Sequence, residues 1–527
     1  MKYKSILWII GFWVLIVSAL AIVAFWVVRV DPFFHYHKPR TDEYFYTLNN
    51  ERSQNNGIVK HFDYQGIITG TSMTQCFRTT EAESLWKGVE FVKVPFAGAS
   101  YQEINDNLAI ALRYNPDIKI VIRGLDTNRY ADDVNAVEGT YPTYLYDDNL
   151  INDAQYVFNR DVIFSRVIPM TRENDRTDFT SGITYFDEYS NWSARSSFGK
   201  NVLYPNGVET TPPGSPVHMT EEDRKKIIMN IRQNVTSLPD QYPDVTFYYF
   251  ITPYGIQRWQ TLLTIGTIYA QIESERTVIE EILKHKNIKL FSFNNETWIT
   301  TDLNNYSNAA HYGEWINSLM LKYMYEEKCL INMDNYKEYL EKQLEFYLSF
   351  DYSSLDEQED YENDYDAAIE ISKKVFGRKG EKLELDPEVI QLSNATIIDN
   401  QYQGEKGVLC SGCLQRAPTE STNLDYMRDT DYVGFKYSIK DIGPIRHIVF
   451  HGKKINDPAI PVVCIYDKEG NIITSFSKHY NSLDNEWHQY YIDVISLQGE
   501  VSIIFHGGYV DRTGPDAQFV FSDIVFY

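Results

Sequence analysis

The chain has 527 residues, of which 43% are hydrophobic and 15% aromatic, so it can build several packed domains and is not intrinsically disordered. Its formal net charge of −24 argues against nucleic acid as a partner, because phosphate binding needs clustered Lys and Arg. Five cysteines in a chain of this length do not form a disulfide scaffold. Cys410 and Cys413 could pair locally, but one such pair is a poor zinc site.

The first predicted element is an apolar segment, residues 5–28, which contains no charged residue. It is long enough to cross ~30 Å of hydrocarbon at ~1.5 Å per residue. Residues 19–21 (Ala-Leu-Ala) are similar to a signal-peptidase site, but the apolar run continues beyond them, which favours a retained anchor. Lys2 and Lys4 precede the segment, so the positive-inside rule places the N-terminus in the cytoplasm and the rest of the chain outside.

The next region, from residue 66 to about residue 327, alternates short apolar runs with helical patterns. Such alternation predicts a doubly wound parallel sheet with helices on both faces. The predicted strands are 66–69, 91–96, 118–125, 245–251 and 288–293, and the predicted helices are 101–114, 220–236 and 262–284. Ser100 and Glu103 are expected to cap the helix over residues 101–114. Residues 126–216 form an insertion without clear periodicity, and an insertion over a parallel sheet often shapes substrate access.

After about residue 385 the pattern changes to period two, as in Phe435, Tyr437 and Ile439. Many short strands separated by Gly, Asn, Asp and Pro predict an antiparallel β-sandwich of roughly 140 residues. The predicted domain boundaries are therefore 1–30 for a cytoplasmic tip and transmembrane anchor, 31–345 for the α/β domain, 346–384 for an acidic linker and 385–527 for the sandwich.

Ser72 is the first candidate functional residue, since Gly70-Thr71-Ser72 ends the first predicted strand. A serine on a tight strand-to-helix turn has its hydroxyl exposed above the sheet edge, as a nucleophile requires. The alternative is structural, because residues 72–75 also match a capping box in which the hydroxyl accepts from a backbone amide.

His311 is the candidate base for Ser72. It follows the last predicted strand on a polar loop and precedes a helical pattern with Ile316 and Leu319 on one face. In a doubly wound sheet the loops that follow the strands meet at one edge, so the two loops are expected to lie together there. The alternative is a loop histidine with no catalytic role.

At this point the sequence resembles the SGNH or GDSL-type hydrolase superfamily. The likeness is to its membrane-anchored extracellular bacterial branch, which includes polysaccharide O-acetylation proteins of the alginate type, and it covers about residues 30 to 345. The matching stretches, in order, are 70–74 (Gly-Thr-Ser-Met-Thr), 95–100 (Pro-Phe-Ala-Gly-Ala-Ser), 123–126 (Arg-Gly-Leu-Asp), 250–254 (Phe-Ile-Thr-Pro-Tyr) and 308–312 (Asn-Ala-Ala-His-Tyr).

The resemblance implies a three-layer α/β fold and roles for the matched residues. Ser72 corresponds to the nucleophile, His311 to the base, and the Gly98 amide to part of the oxyanion hole. The family normally has Asp three residues before the histidine, where this chain has Asn308. The third block normally supplies an Asn amide to the oxyanion, where this chain has Asp126.

These two departures affect the expected chemistry. An amide oxygen at Asn308 can fix the tautomer of the base but supplies no negative charge, so Asp302 could substitute or the site could be a Ser-His dyad. A carboxylate at Asp126 would repel the developing oxyanion unless it were protonated, and loss of one donor costs about 3–4 kcal/mol. The remaining candidate donors are the backbone N–H groups of Ser72 and Gly98 and the side chain of Asn128.

The sequence thus predicts a single-pass cell-membrane protein that is an extracellular serine esterase or O-acyltransferase. Its substrate would be acyl groups, by resemblance acetyl, of a surface polysaccharide, and no metal or cofactor is expected. A transferase would need an acyl donor, for which a membrane acyltransferase is the expected partner. The sandwich would bind glycan or only pack on the catalytic domain. The alternatives are a catalytically degenerate glycan-binding protein, favoured by Asp126 and Asn308, and a cell-envelope scaffold.

Overall fold

The computed structural model describes residues 2–527 apart from a set of gaps. The gaps are residues 42, 45, 139–141, 173–185, 188, 194–195, 362–364, 412–433, 444, 457–458, 460, 469–471, 478–484, 495–496, 498 and 508–516. Cys413 of the predicted local pair lies outside the described residues, as does part of the predicted acidic linker. The chain divides into two compact units, one of which ends at Asp360 while the other comprises Tyr361–Tyr527.

The first unit begins with helix α1 (Lys2–Val30). Its window Ser5–Val30 has a mean hydropathy of 2.8, and within the described residues it is the one helix long and apolar enough to cross a membrane. Most side chains from residue 5 to residue 25 are exposed, whereas Val27 and Val30 are fully buried. The predicted apolar N-terminal helix is therefore confirmed.

A six-stranded sheet forms the centre of the first unit. The strands are β1 (Gly66–Gly70), β2 (Phe91–Pro95), β3 (Ile120–Leu125), β4 (Thr246–Ile251), β5 (Ile288–Ser292) and β6 (Leu330–Ile331). They are arranged in the order β2-β1-β3-β4-β5-β6. The first five are parallel and almost wholly buried, as expected for continuous apolar runs. This confirms the predicted parallel sheet and adds β6, an antiparallel strand too short for a periodicity to predict.

Helices precede, connect and follow these strands. They are α2 (Glu51–His61), α3 (Thr79–Leu85), α4 (Tyr101–Tyr114), α5 (Ala154–Val157), α6 (Arg160–Val162), α7 (Ile168–Arg172), α8 (Lys200–Leu203), α9 (Glu221–Ile231), α10 (Ser237–Gln241), α11 (Ile256–Thr264), α12 (Ile268–Ile282), α13 (Thr297–Thr300), α14 (Glu314–Tyr325) and α15 (Tyr336–Ser349). The insertion thus contains short helices, and Ile163–Val167 within it forms a π-helical turn. Helix α4 has the capping box between Ser100 and Glu103 that its sequence predicts.

The prediction of a single helix over residues 262–284 is wrong, because a turn at Gly266 interrupts the helix and separates α11 from α12. Gly266 has a φ of +80°, and a Cβ there would lie 1.9 Å from the backbone oxygen of Ser215. The insertion runs against this break, since Val217 donates its backbone N–H to the Gly266 oxygen at 2.9 Å. A close backbone approach between distant segments therefore overrides the local helical pattern.

The second unit begins with α16 (Asp366–Phe376) and continues with strands. The strands are β7 (Glu381–Lys382), β8 (Gln391–Ser393), β9 (Ala395–Ile398), β10 (Gly407–Ser411), β11 (Gly434–Ile439), β12 (His447–Lys454), β13 (Val462–Asp467), β14 (Ile472–Ser477), β15 (Trp487–Asp493), β16 (Val501–His506) and β17 (Gln518–Phe526). One sheet has the order β15-β12-β17-β10-β9, with β7 on β17, and the other has the order β14-β13-β16-β11-β8. Both are antiparallel and share one core, in which Phe435 contacts Phe521 and Phe450 contacts Phe505.

Candidate active site

The carboxyl ends of three neighbouring strands bring the candidate residues to one edge of the sheet. Gly70 of β1 pairs with Pro95 of β2, and Thr69 pairs with Arg123 of β3, so the three strands end nearly level. The strand order reverses at this place, because β2 lies on one side of β1 and β3 on the other. A reversal of this kind leaves a crevice beyond the strand ends, where open α/β sheets bind ligands.

The turn after β1 exposes the Ser72 hydroxyl. Gly70 has a φ of +149°, and a Cβ at this position would lie 2.6 Å from Thr74 Cγ2, so a glycine is required. Ser72–Thr74 form one turn of 3₁₀ helix whose N-cap is Thr71, and Thr71 Oγ1 accepts from the Met73 N–H. The capping box proposed for Ser72 is therefore wrong, because the preceding residue occupies the cap position.

Ser72 and His311 form a hydrogen-bonded pair in which Ser72 Oγ lies 2.8 Å from His311 Nε2. The loop that carries His311 is closed by a bridge between Tyr306 and Tyr312. The Tyr312 hydroxyl donates to the backbone oxygen of Met73 at 3.2 Å, which joins this loop to the Ser72 turn. The two sequence-predicted residues thus meet across 239 positions of the chain.

Asn308 fixes the orientation and the tautomer of this histidine. Its Oδ1 accepts from the backbone N–H groups of Ala310 and His311, each at 3.0 Å, so the oxygen rather than the nitrogen of the amide faces the ring. The same oxygen lies 3.0 Å from His311 Nδ1. Nδ1 must therefore carry the proton, and Nε2 is left as the acceptor for the serine proton.

Burial lowers the pKa of His311 below its usual value. The shift favours the neutral imidazole, which is the form that can accept a proton.

Asp302 has a different position from the one that a triad member would need. Its carboxylate caps the turn Leu303–Asn305 and accepts from the Asn304 backbone N–H at 3.0 Å. The side chain at His311 Nδ1 is that of Asn308. The structure therefore brings together Ser72, His311 and Asn308, and it places Asp302 on the neighbouring turn.

Asp126 is buried at the carboxyl end of β3 and is held by hydroxyl groups. Its Oδ2 accepts from Thr71 Oγ1, and its Oδ1 accepts from the Tyr254 hydroxyl at 3.4 Å. Burial raises the pKa of this carboxyl above its ordinary value. The side chain thereby joins the cap of the Ser72 turn to Tyr254, an arrangement that sequence reasoning did not anticipate.

Three other groups at this edge are candidates to stabilise an oxyanion. The backbone N–H groups of Ser72 and Gly98 have no hydrogen-bond acceptor within the described part of the chain. Arg129 donates to the Gly98 oxygen at 2.9 Å and so holds the loop after β2. Asn128 is exposed, and its Oδ1, at 3.2 Å, is the nearer of the two oxygens that share the Tyr254 hydroxyl proton, the other being Asp126 Oδ1. This contact leaves the amide N–H groups of Asn128 for a ligand.

Trp192 completes the site and was missed by the sequence analysis. Its Nε1 donates to the Ser72 backbone oxygen at 3.2 Å, and its ring meets the His311 ring edge-on at a centroid distance of 5.2 Å. The residue lies in the insertion, which has no periodicity that would have singled it out. Next to it, Asn191 donates to Glu314 at 2.7 Å, and Glu314 also binds Arg78 at 2.9 Å in a buried ion pair.

A cavity of about 480 Å³ lies beside the His311 loop, which contributes Ala309 to its wall. Its other walls come from the insertion and α11, and their polar side chains include Tyr204, Asn206, Gln257 and Gln260. The volume lies within the usual range for small-ligand pockets. Across the residues that the structure describes, no group of three or more His, Cys, Asp or Glu side chains could hold a metal ion.

Comparison with known proteins gives structural similarities only. No protein-family model matches the chain, and no curated protein matches it. A Streptococcus pneumonia protein provisionally described as a platelet activating factor is 9% identical, with a TM-score of 0.28, over 53% of this chain and 90% of that one.

Two further structures are similar over 28% of this chain. The xylanase 10B modules of Clostridium thermocellum, solved with xylohexaose, are 12% identical with a TM-score of 0.19 over 28% of that chain. The module CsCBM6-3 of Clostridium stercorarium, solved with cellobiose, is 12% identical with a TM-score of 0.17 over 92% of that chain. These scores are too low to show a shared fold.

Proposed function

We propose that this protein is a membrane-anchored serine esterase or O-acyltransferase that acts on acyl groups of a surface polysaccharide. The observation that carries the proposal is the 2.8 Å contact of Ser72 Oγ with His311 Nε2, the nitrogen that Asn308 leaves unprotonated. A hydroxyl on a strand-to-helix turn beside a neutral imidazole is the arrangement of an activated nucleophile. The acetyl group, in particular, is proposed from the resemblance to SGNH-type hydrolases.

In the first half of the proposed reaction, Ser72 Oγ attacks the ester carbonyl carbon while its proton passes to His311 Nε2. The ester C–O bond then breaks, and the leaving sugar oxygen takes that proton, which leaves an acyl group on Ser72. In the second half, water or another sugar hydroxyl attacks the acyl carbon while its proton passes to His311 Nε2. The bond between the acyl carbon and Ser72 Oγ then breaks, and Ser72 Oγ takes that proton back, which releases a free acid or a new ester. Asn308 holds the imidazole and keeps the proton on Nδ1 throughout.

We assign oxyanion stabilisation to the backbone N–H groups of Ser72 and Gly98 and to the side-chain amide of Asn128. The two backbone groups support this assignment because each is a donor at the edge of the sheet with no acceptor among the described residues. Asp126 acts on this site through Thr71, whose hydroxyl donates to it, and burial raises the pKa of this carboxyl above its ordinary value.

A neutral glycan is the proposed substrate because polar, largely uncharged side chains line the cavity beside the His311 loop. Gln257 and Gln260 donate to the backbone oxygens of Leu203 and Glu209. The side chains of Asn206 and Thr211 therefore supply the hydrogen-bonding groups that suit sugar hydroxyls there.

The second unit has a partly exposed aromatic cluster. Tyr402 stacks on His451 at a centroid distance of 3.8 Å and lies 5.4 Å from Trp487, and all three rings are partly exposed. Aromatic rings of this kind provide an apolar face against which the C–H groups of a sugar can pack. We propose that this cluster retains the polymer while the first unit acts on it.

The proposal is tested with the full-length protein in detergent and an activated acetyl ester. We expect acetate release that is lost in Ser72→Ala and in His311→Ala, while Ser349→Ala, which alters an exposed serine of α15, keeps it. Covalent labelling by a fluorophosphonate probe should follow the same pattern. Equal activity in Ser72→Ala and the parent protein would refute the catalytic role of this serine. Addition of an oligosaccharide then distinguishes transfer to sugar from transfer to water.

One observation favours a second candidate function, a non-catalytic glycan-binding or envelope-assembly protein. The base contacts the neutral amide of Asn308, and no carboxylate charge is supplied to the imidazolium at that nitrogen. Under this alternative the parent protein binds polysaccharide but releases no acetate, and Ser72→Ala and His311→Ala leave the binding unchanged. Acetate release by the parent protein excludes it.

A further inference from the structure

The C-terminal end of α1 is part of the folded first unit. Val27 and Val30 are fully buried in a cluster with Tyr156, Val162 and Val167 of the insertion. The window Ser5–Val30 has 26 residues, which at ~1.5 Å per residue gives ~39 Å, whereas the hydrocarbon layer is ~30 Å thick. The last turns of α1 therefore extend beyond the hydrocarbon, and the insertion residues packed on them lie close to the membrane surface.

A buried polar junction fastens the insertion to this end of α1. Asp31 is fully buried and accepts from the backbone N–H groups of Tyr36 and His35 and from the Tyr156 hydroxyl at 2.8 Å. Asp153, just before α5, accepts from the Tyr36 hydroxyl at 3.1 Å. The stretch from residue 150 to residue 167 is consequently held beside α1 by these hydrogen bonds.

This stretch, which we call the docking segment (residues 150–167), exposes large apolar side chains. Ile151 is 87% exposed and Phe164 is 63% exposed, and Leu150 and Phe158 are also exposed. Single exposed apolar residues are ordinary, but four in eighteen consecutive residues beside an apolar helix indicate an interaction surface.

The charges of the docking segment favour a bilayer as its occupant. The segment carries Arg160 and Arg166 against two acidic residues, Asp153 and Asp161, although the chain as a whole has a net charge of −24. Arg166 also lies over the Phe33 ring at 5.2 Å, next to the end of α1. Locally balanced charge in a strongly acidic protein removes the repulsion that anionic headgroups would otherwise impose.

We propose that the docking segment lies in the headgroup layer beside α1, with Leu150, Ile151, Phe158 and Phe164 inserted at the boundary with the hydrocarbon. The proposal rests on the membrane anchoring by α1 that is part of the proposed function. Apolar side chains flanked by arginine are typical of interfacial segments that bind in the plane of the membrane. The contact adds a second attachment to α1 and fixes the height and tilt of the Ser72 site above the bilayer.

The test uses the full-length protein with a single fluorescent label on an introduced cysteine, in a background in which Cys329 and Cys413 are serine. The labelled variants are Phe164→Cys, Ile151→Cys, Leu15→Cys within α1, and the matched control Met229→Cys, which is 58% exposed on α9. Each is reconstituted in phosphatidylcholine and phosphatidylglycerol vesicles that carry a nitroxide on the headgroup or deep in the acyl chain.

Headgroup nitroxide should quench the labels at 164 and 151 several-fold more strongly than the label at 229, and chain nitroxide should quench the label at 15. Substitution of Phe158 and Phe164 by serine should reduce the headgroup quenching at 151 while the label at 15 is unaffected. Labels at 164 and 151 that behave like the one at 229 would overturn the docking proposal while leaving the anchor intact. An unquenched label at 15 would refute the anchor and the docking together. If the label at 164 is protected from solvent in detergent, and this protection depends on protein concentration, the surface would be assigned to a second copy of the chain instead.

Discussion

Replacement of Asn308 by Asp places a negative charge on an acceptor that lies 3.0 Å from His311 Nδ1. The two side chains have the same shape, so the backbone bonds from Ala310 and His311 are retained. Two unit charges at about 4 Å attract by ~1 kcal/mol in water and ~4 kcal/mol at an effective dielectric constant of ~20. Because Asn308 is exposed and His311 half-buried, we expect ~1–2 kcal/mol of additional transition-state stabilisation, which is about 5- to 30-fold in kcat/KM.

The pH profile tests the same reasoning. The new carboxylate raises the pKa of His311, which burial lowers in the parent protein. Activity requires the neutral imidazole, so it falls as pH decreases through this pKa, and the acidic limb of kcat/KM should move to higher pH in the variant. The increase in kcat/KM of Asn308→Asp over the parent should therefore be largest above about pH 7 and decline at lower pH.

The assay is acetate release from an activated ester across this pH range. Asn149→Asp is the matched control, because Asn149 is an exposed asparagine in a similar turn, accepting from the Ile151 N–H at 3.2 Å, and its variant adds the same charge elsewhere. Asn308→Ala should lose activity because nothing then holds the proton on His311 Nδ1, and the loss should approach the ~10⁴-fold decrease that a wrong histidine tautomer causes. An acidic limb that does not move in Asn308→Asp, or a loss of activity there as large as in Ser72→Ala, would refute the assigned roles.

Three further outcomes are expected. Burial raises the pKa of Glu275 to about 7, so the folded state loses stability as pH rises toward that value. Glu275→Gln cannot ionise and avoids this loss. In urea titrations, its unfolding free energy should therefore rise by ~3 kcal/mol relative to that of the parent as pH increases from about 5 to about 8. A pH-independent difference would contradict this. Trp192→Phe removes the bond to the Ser72 oxygen, worth ~1 kcal/mol, and should lower kcat/KM about fivefold, with a larger loss in Trp192→Ala. Trp487→Ala should weaken polysaccharide retention while acetate release from a small ester is unchanged, and a loss of both would count against a separate glycan surface.

Local signals in the sequence predicted the elements that depend on local chemistry. Ser100 and Glu103 mark the start of α4 because both partners of a capping box lie within one turn. The parallel strands were predictable because residues buried on both faces form continuous apolar runs. The pairing of Ser72 with His311 followed from topology, since loops after parallel strands share one edge of the sheet.

Features that depend on contacts between distant segments could not be predicted in this way. The break at Gly266 arises from the backbone of Ser215, and nothing within residues 262–284 marks it apart from the glycine itself. Trp192 reaches Ser72 from an insertion without periodicity. The orientation of the Asn308 amide depends on two backbone N–H groups of a folded loop, so a sequence can place the residue but cannot determine which of its atoms faces the base.

The fixed proton on His311 Nδ1 has a kinetic consequence. With Nδ1 held by Asn308, the proposed mechanism has one nitrogen, Nε2, through which every proton enters and leaves the ring. The departing alcohol and the incoming acceptor must therefore occupy the same place beside Nε2, one after the other. Double-reciprocal plots at several acceptor concentrations should accordingly be parallel, as in ping-pong kinetics, and a high concentration of either alcohol should inhibit competitively with respect to the other.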